Sequence, residues 1–312
     1  MGAPWGMHLT RLAETSTMET TPPGVLDFLL NAKHLAIIVL MLLGLALLLF
    51  RRVNLWVRIG GMVLAFVLYG LDWVFPLHPS PMCATTKLFM FKFTFGKFFP
   101  AFVALFLVMM IPSLFGRKLF CGWVCPLGAV QELVNKIPFK WRWKNINFPV
   151  FNGIRFSLIA LFLLTFFAAT RHIGDLAEAT GADVAQGPWL AYSNFNIYDS
   201  FNFFELLHWS TSTTFFVMFA ILIAISLVLY RPFCYAVCPV GALTWLLERV
   251  APGRIRVDQT KCNNCGICAV KSPCPTIRPL FEGKTRMLPD CTSCGECLDT
   301  CPKDAIAFRF HA

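Results

Sequence analysis

Residues 34–50 read HLAIIVLMLLGLALLLF and stop at Arg51-Arg52. An uncharged run of this kind approaches the roughly 20 apolar residues that cross a bilayer. A helix of a soluble bundle would keep a polar face, and this stretch has none. Four more runs repeat the pattern, at about 59–77, 98–115, 151–169 and 209–230. Composition points the same way. Of 312 residues, 57% are hydrophobic and 14% charged, against about 45–50% and about 25% in an average globular domain. That balance excludes an ordinary soluble domain, and it excludes disorder, which needs low hydrophobicity and high charge. The first 33 residues are polar and lack the charged start and short apolar core of a cleaved signal. The expectation is an all-α membrane bundle of about five transmembrane helices over 34–250, preceded by an outer N-terminal segment, 1–33.

The chain carries 27 Lys and Arg against 17 Asp and Glu, a formal net charge of +10. In a soluble protein this would raise nucleic acid as a partner; in a membrane protein it marks cytoplasmic loops. Arg51, Arg52 and Arg58 follow the first run, and Arg117, Lys118, Lys136, Lys140, Arg142 and Lys144 follow the third. Segment 170–208 holds Arg171 against Asp175, Glu178, Asp183, Asp199 and Glu205. Five crossings then place the N-terminus outside and the C-terminal region in the cytoplasm, with no need of nucleic acid. Lys87, Lys92 and Lys97 run against this count. The alternation of Phe89, Phe91, Phe93 and Phe95 with polar residues there reads as an interfacial segment.

Beyond about residue 251 the apolar runs cease, and eight of the thirteen cysteines fall within forty residues. Residues 262–275 read CNNCGICAVKSPCP and residues 291–302 read CTSCGECLDTCP. Three closely spaced thiolates wrap one face of a cubane cluster, and the fourth Cys of each run reaches the other cluster. Cys262, Cys265, Cys268 and Cys301 are therefore assigned to one 4Fe-4S cluster, and Cys291, Cys294, Cys297 and Cys274 to a second. The expected tail, 251–312, is an α+β ferredoxin domain of the bacterial two-cluster type. Zinc sites use paired rather than tripled cysteines, and disulfides belong to oxidising compartments. Five residues separate Cys268 from Cys274 where three are usual, so a bulge is expected before Cys274.

A repeat sits between these regions. Residues 117–129 read RKLFCGWVCPLGA and residues 231–242 read RPFCYAVCPVGA, each directly after an apolar run. Pro126 and Pro239 suit the first position of a helix, which makes Cys125 and Cys238 N-caps, where the helix dipole favours a thiolate. Three roles stay open for Cys121, Cys125, Cys234 and Cys238: a further metal centre, redox-active disulfides, or a structural turn along the membrane surface.

The paired motifs FCGWVCPLGA and FCYAVCPVGA, with apolar spans and a two-cluster tail, resemble the membrane polyferredoxin family of the NapH/NosR/CcoG type over roughly residues 60–312. The resemblance implies 4Fe-4S-dependent electron transport by a quinol dehydrogenase-type oxidoreductase subunit of the prokaryotic cytoplasmic membrane. Electrons would pass between the quinol pool and a redox partner protein. In the CcoG branch it implies copper reduction or metallocentre assembly. The eight tail cysteines would be cluster ligands, and the four repeat cysteines the family's membrane-edge cysteines.

His34, His78, His172 and His208 fall near the outer ends of the runs, while His8 and His311 lie near the termini. A His at such an interface suits acceptance of a quinol proton. No run carries His at mid-depth, which argues against haem. Met82 and Cys83 offer two soft ligands of the kind that suits Cu(I), against the plainer reading of a thiol in a loop. Trp189, Tyr192, Phe195, Tyr198 and Phe201 would form either an external docking surface or an aromatic belt.

Overall fold

The computed structural model describes residues 23–71, 74–75, 80–143, 146–181, 198, 213–272, 274–281 and 290–310. The chain is mostly helical. A short α1 (Val25–Leu29) leads into α2 (Ala32–Leu49), whose first turn is capped by the Asn31 side chain accepting the Lys33 N–H at 3.3 Å. Asn54 caps α3 (Leu55–Tyr69) in the same way through Val57, and Ser80 caps α4 (Pro81–Phe95) through Cys83. Each cap satisfies a backbone donor that the first turn leaves orphaned. Then come α5 (Pro100–Gly116), α6 (Leu119–Trp123), α7 (Pro126–Lys136), α8 (Phe148–Thr180), α9 (Thr213–Val228), α10 (Pro232–Ala236) and α11 (Pro239–Leu247). The tail is β1 (Gly253–Val257), α12 (Ile267–Lys271), α13 (Ile277–Phe281), α14 (Glu296–Asp299) and β2 (Ile306–Phe310). β1 and β2 pair antiparallel, with Gly253 opposite Phe310 and Val257 opposite Ile306.

The five apolar runs coincide with α2, α3, α5, α8 and α9. Among the described residues, only α2 and α8 are both long and apolar enough to cross a membrane; α3, α5 and the described part of α9 are shorter. The second run breaks at Gly70, earlier than its apolar pattern indicates. All five helices turn large apolar side chains outward, Leu42, Leu64, Ile111, Leu164 and Ile221 among them.

Residues 81–95 depart from expectation. They form a packed helix, not an interfacial strip, with Met82, Ala84, Thr85, Thr86 and Met90 buried. On a helix, aromatic residues two apart point to different sides. Phe89 and Phe93 face outward, and Phe91 packs on Phe99 and Phe102 of the next segment. Cys83 is accordingly a buried helical residue and not a loop thiol. Tyr198 is likewise buried, edge-on against Phe162, so it is not part of a docking surface. Trp189, Tyr192, Phe195, Phe201, His8, His78, His208 and His311 lie outside the described residues.

The tail packs on one end of the bundle, where the five helices each present a terminus. Gly295 abuts Leu48 at the end of α2, and Ser293 donates its hydroxyl to Gly116 O at the end of α5 (2.9 Å). Trp123 reaches Ser293 O from α6, and Arg155 near the start of α8 pairs with Asp290. The basic residues at this end are not loop charges in water. Arg58, Arg117, Lys118, Arg155 and Arg231 are all buried and face buried carboxylates. Counting Arg58, Arg117 and Lys118 as exposed loop charge misreads part of the basic excess, because a sequence does not reveal which cations find partners inside.

Candidate iron–sulfur sites

The tail's two cysteine triplets adopt the same local backbone. Asn264 and Ser293 share a left-handed conformation (φ 54° and 51°), as do Gly266 and Gly295 (φ 70° and 83°). Such a conformation costs little for Gly or Asn and more for other residues. It curls each triplet so that its thiols face one side. Cys262, Cys265, Cys268 and Cys301 then line a single cavity of about 260 Å³, floored by Ile277 and Ile306. Cys265 is exposed at its mouth. This is the first of the two sets assigned from spacing.

The second set also comes together. Cys274 lies within electrostatic reach of Cys291 and Cys294, and Cys297 of all three. Cys291, Cys294 and Cys297 are buried. The extra residues before Cys274 are taken up by a turn: α12 ends, Ser272 becomes extended, and its hydroxyl accepts the Cys274 N–H at 3.2 Å. Burial pushes the Cys294 thiol up to about 11. Buried thiols resist ionisation unless positive charge compensates, and iron in a cluster supplies it. The donor set, four thiols each with no oxygen or nitrogen ligand among them, fits iron–sulfur chemistry.

Among the described residues no three His, Cys, Asp or Glu side chains converge tightly enough to hold one metal ion. A cluster does not ask for that, since each of its four irons takes its own thiolate.

The repeat motifs form the floor on which the second set rests. Pro126 and Pro239 begin α7 and α11, with Cys125 and Cys238 as N-caps, and Gly128 N–H points at Cys125 Sγ (3.4 Å). Burial outweighs the helix dipole here: the Cys125 and Cys238 thiols are pushed up, and Cys121 rises to about 11. The cap position alone therefore does not make a thiolate. Gly122 is needed by proximity, because a Cβ there would stand 2.2 Å from Thr292 O of the second triplet.

Around these cysteines lies a charge network that spacing does not reveal. Glu132 accepts from Arg58 Nε (2.8 Å) and Nη2 (2.9 Å), from Tyr230 (2.9 Å) and from Arg231. Burial alone would raise its carboxyl; the two guanidiniums overcome that and hold it well below the usual range. Asp290, adjacent to Cys291, pairs with Lys118 and with Arg155 at 2.8 Å. Its backbone N–H goes to Glu248 (2.9 Å). Burial lowers Lys118 to about 8. The one available sequence signal was that Glu132 is the sole acid in a basic segment.

Residues 98–144 and 211–258, one around each repeat motif, match a family described as a 4Fe-4S binding domain. The chain is 28% identical over 203 residues to the putative electron transport protein YccM of Escherichia coli, spanning 65% of this chain and only 54% of that one. It is 27% identical over 222 residues to the ferredoxin-type protein NapH of E. coli, covering 66% and 68% of the two chains. Against the regulatory protein NosR of Pseudomonas aeruginosa the figures are 28% over 198 residues, 60% of this chain and 23% of NosR. No solved structure matches. A doubled 4Fe-4S match on the repeat, joined to relatives described as electron transport and ferredoxin-type proteins, supports a likeness to the NapH/NosR-type polyferredoxin family.

Proposed function

We propose that the chain is a multi-pass membrane subunit that carries electrons between the quinol pool and a redox partner by way of two 4Fe-4S clusters, with its tail in the cytoplasm. One arrangement carries this reading: the eight tail cysteines sort into two sets of four, one opening to solvent and the other set against the buried end of the bundle. When bound, each cluster supplies one-electron storage. The residues around them divide the labour. The open mouth at Cys265 suits a partner protein, and the buried set keeps water from the bundle side.

The apolar exterior of α2, α3, α5, α8 and α9 supports a lipid surrounding, since soluble monomers seldom expose continuous apolar belts. The shared end of five helices under the tail fits alternating crossings with an outer N-terminus. Oxidation of a quinol to a quinone releases two electrons and two protons. The electrons suit one-electron acceptors taken one at a time, and the protons need a base. His34, buried at the outer end of α2, holds its Nδ1 2.5 Å from Phe28 O, which fixes that nitrogen as the donor. Its Nε2 has no hydrogen-bond partner among the described residues and stands as an acceptor.

The test is anaerobic reduction of the purified full chain by a soluble quinol analogue, followed by loss of the clusters' visible absorbance. Reduction by the analogue is expected, and His34→Gln should slow it at least tenfold while reduction by dithionite is unchanged. Clusters that dithionite reduces and the quinol does not would end the quinol reading. The alternative of copper reduction rests on Met82 and Cys83. Both are buried in the first turn of α4, and no observation favours it over quinol.

A further inference from the structure

The two repeats trade contacts in a reciprocal way. Residues 118 and 231 occupy equivalent positions 113 residues apart, as do 131 and 244. Lys118, ahead of the first cysteine pair, donates to Gly241 O in the first turn of α11, in the second repeat, at 3.1 Å. Arg231, ahead of the second pair, donates to Cys121 O in the first repeat at 2.8 Å. Gln131, on the helix after the first repeat, lies with Nε2 3.6 Å from Cys234 Sγ and accepts the Phe233 N–H on its Oε1 at 3.0 Å. Thr244, on the helix after the second, stands beside the Cys121 thiol, with its own hydroxyl proton given to Val240 O at 2.8 Å. Each leading cysteine thus has a polar side chain of the opposite repeat beside it. This is the self-complementary pattern of a twofold axis, here within one chain. Cys125 lies within electrostatic reach of Cys121, Cys234 and Cys238, so all four thiols gather about that axis.

We propose that Cys121, Cys125, Cys234 and Cys238 hold a third iron–sulfur cluster on the axis between the repeats, two thiolates from each, with Gln131 donating a hydrogen bond to Cys234 and Thr244 set beside Cys121. Charge supports it. Six cations, Arg58, Arg117, Lys118, Lys136, Arg155 and Arg231, share four buried carboxylates, Glu132, Glu248, Asp290 and Glu296. Three of those cations, Arg231, Lys118 and Arg155, face Cys234. Unpaired buried cations are costly. Four thiolates on an oxidised cluster core carry a net double negative charge, which suits the cations that face Cys234, while Arg58 and Arg117 face the second tail set. A structural turn needs neither the crossed donors nor the cations. The second tail set abuts this site through the Gly122 to Thr292 contact, so a third centre would stand next in line behind it.

The inference rests on the iron–sulfur reading of the chain and not on quinol donation. Full-length protein is purified anaerobically in detergent, and iron and labile sulfide are counted for the natural sequence, for the Cys121→Ser/Cys234→Ser double variant and for Cys294→Ser. Two clusters hold about eight iron and three hold about twelve. The expected result is about twelve, falling to about eight in the double variant with the tail clusters' electron paramagnetic resonance signals kept. About ten falling to about eight means a two-iron centre at the same site and supports it equally. About eight in the natural sequence, unchanged in the double variant, overturns the third centre and leaves the tail clusters standing. Absence of iron throughout would instead remove the iron–sulfur reading itself. Should the double variant not fold, Gln131→Leu keeps every ligand. Hydrogen bonds to sulfur raise cluster potentials, so this variant should lower the midpoint of one centre alone. Midpoints that all stay unmoved overturn the assignment.

Discussion

The two halves of the tail share a motif and a backbone and differ in almost everything around them. In the half built on Cys262, Cys265 and Cys268 the curl faces an open cavity, with Asn263, Asn264 and Cys265 exposed. In the half built on Cys291, Cys294 and Cys297 residues 290–298 are all buried against the bundle. The local fold is therefore encoded by Cys and Gly spacing, while exposure is decided by what the bundle presents. The buried half meets a tailored surface: Gly122 admits Thr292, Trp123 and Gly116 take up the Ser293 backbone and hydroxyl, and Lys118 and Arg155 clasp Asp290. Nothing of the kind surrounds the first triplet among the described residues. Two like cysteine sets thus stand in unlike settings, one open to solvent and one against the bundle.

The largest effect should come from removing the clasp. In Asp290→Asn, Lys118 and Arg155 lose their shared anion while remaining buried. Breaking a buried ion pair from one side costs about 3–5 kcal/mol. Two consequences are expected: a lower midpoint of thermal unfolding in detergent, and a change in chelation kinetics. In the natural protein a chelator should strip the exposed half's iron, about four atoms, in a separate fast phase. In Asp290→Asn the fast phase should grow to take in the second tail cluster. A variant whose two halves still release iron at two distinct rates would show that Asp290 does not hold the difference between them.

A middle-sized effect is expected of Gly122→Ala. The added methyl would meet Thr292 O at 2.2 Å, and the obstruction is backbone, which cannot rotate aside. Overpacking of a close contact costs about 1–3 kcal/mol. Because the strain falls on the interface and not on the ligands, the exposed half's iron should leave at its natural rate while the buried half's leaves faster. Equal acceleration of both halves would mean that the tail unfolds as one unit and that the two settings are not independent.

How much of this was legible in the sequence follows from the range of each signal. The five apolar runs and the cysteine triplets are local patterns, so the helices and the grouping of the tail cysteines could be read directly, down to Cys301 lying with Cys262 and Cys274 lying near Cys291. Caps at Cys125 and Cys238 were legible because Pro at a first helical position is also local. Failures came where distant chain decides. Phe89, Phe91, Phe93 and Phe95 alternate as if on an interfacial strip, yet Met82, Ala84 and Met90 find partners in α5 and α11 that bury the segment as a helix. Arg58, Arg117 and Lys118 look like loop charges until Glu132, Glu248 and Asp290 are folded against them. The four repeat cysteines were visible as a repeat, but the crossed contacts of Gln131 with Cys234 and of Arg231 with Cys121 O appear only when the two copies face each other.

The smallest effect tests a single hydrogen bond at the boundary between the halves' settings. Trp123 lies between the bundle and the buried triplet: Arg58 stacks over its ring at 5.1 Å, Gly44 of α2 leaves room for it, and its Nε1 donates to Ser293 O at 3.0 Å. Trp123→Phe keeps an aromatic face for Arg58 but leaves the Ser293 carbonyl buried without that donor. A lost hydrogen bond of this type is worth about 0.5–1.5 kcal/mol, a modest fall in unfolding midpoint. The iron content should stay full, since no ligand moves. What should change is the buried half's chelation rate, and by less than in Gly122→Ala, because a missing donor loosens the Ser293 turn where an added methyl pushes it away. A Trp123→Phe protein that sheds its buried iron faster than Gly122→Ala would locate the decisive contact in the Trp123 hydrogen bond rather than in the backbone fit at Gly122.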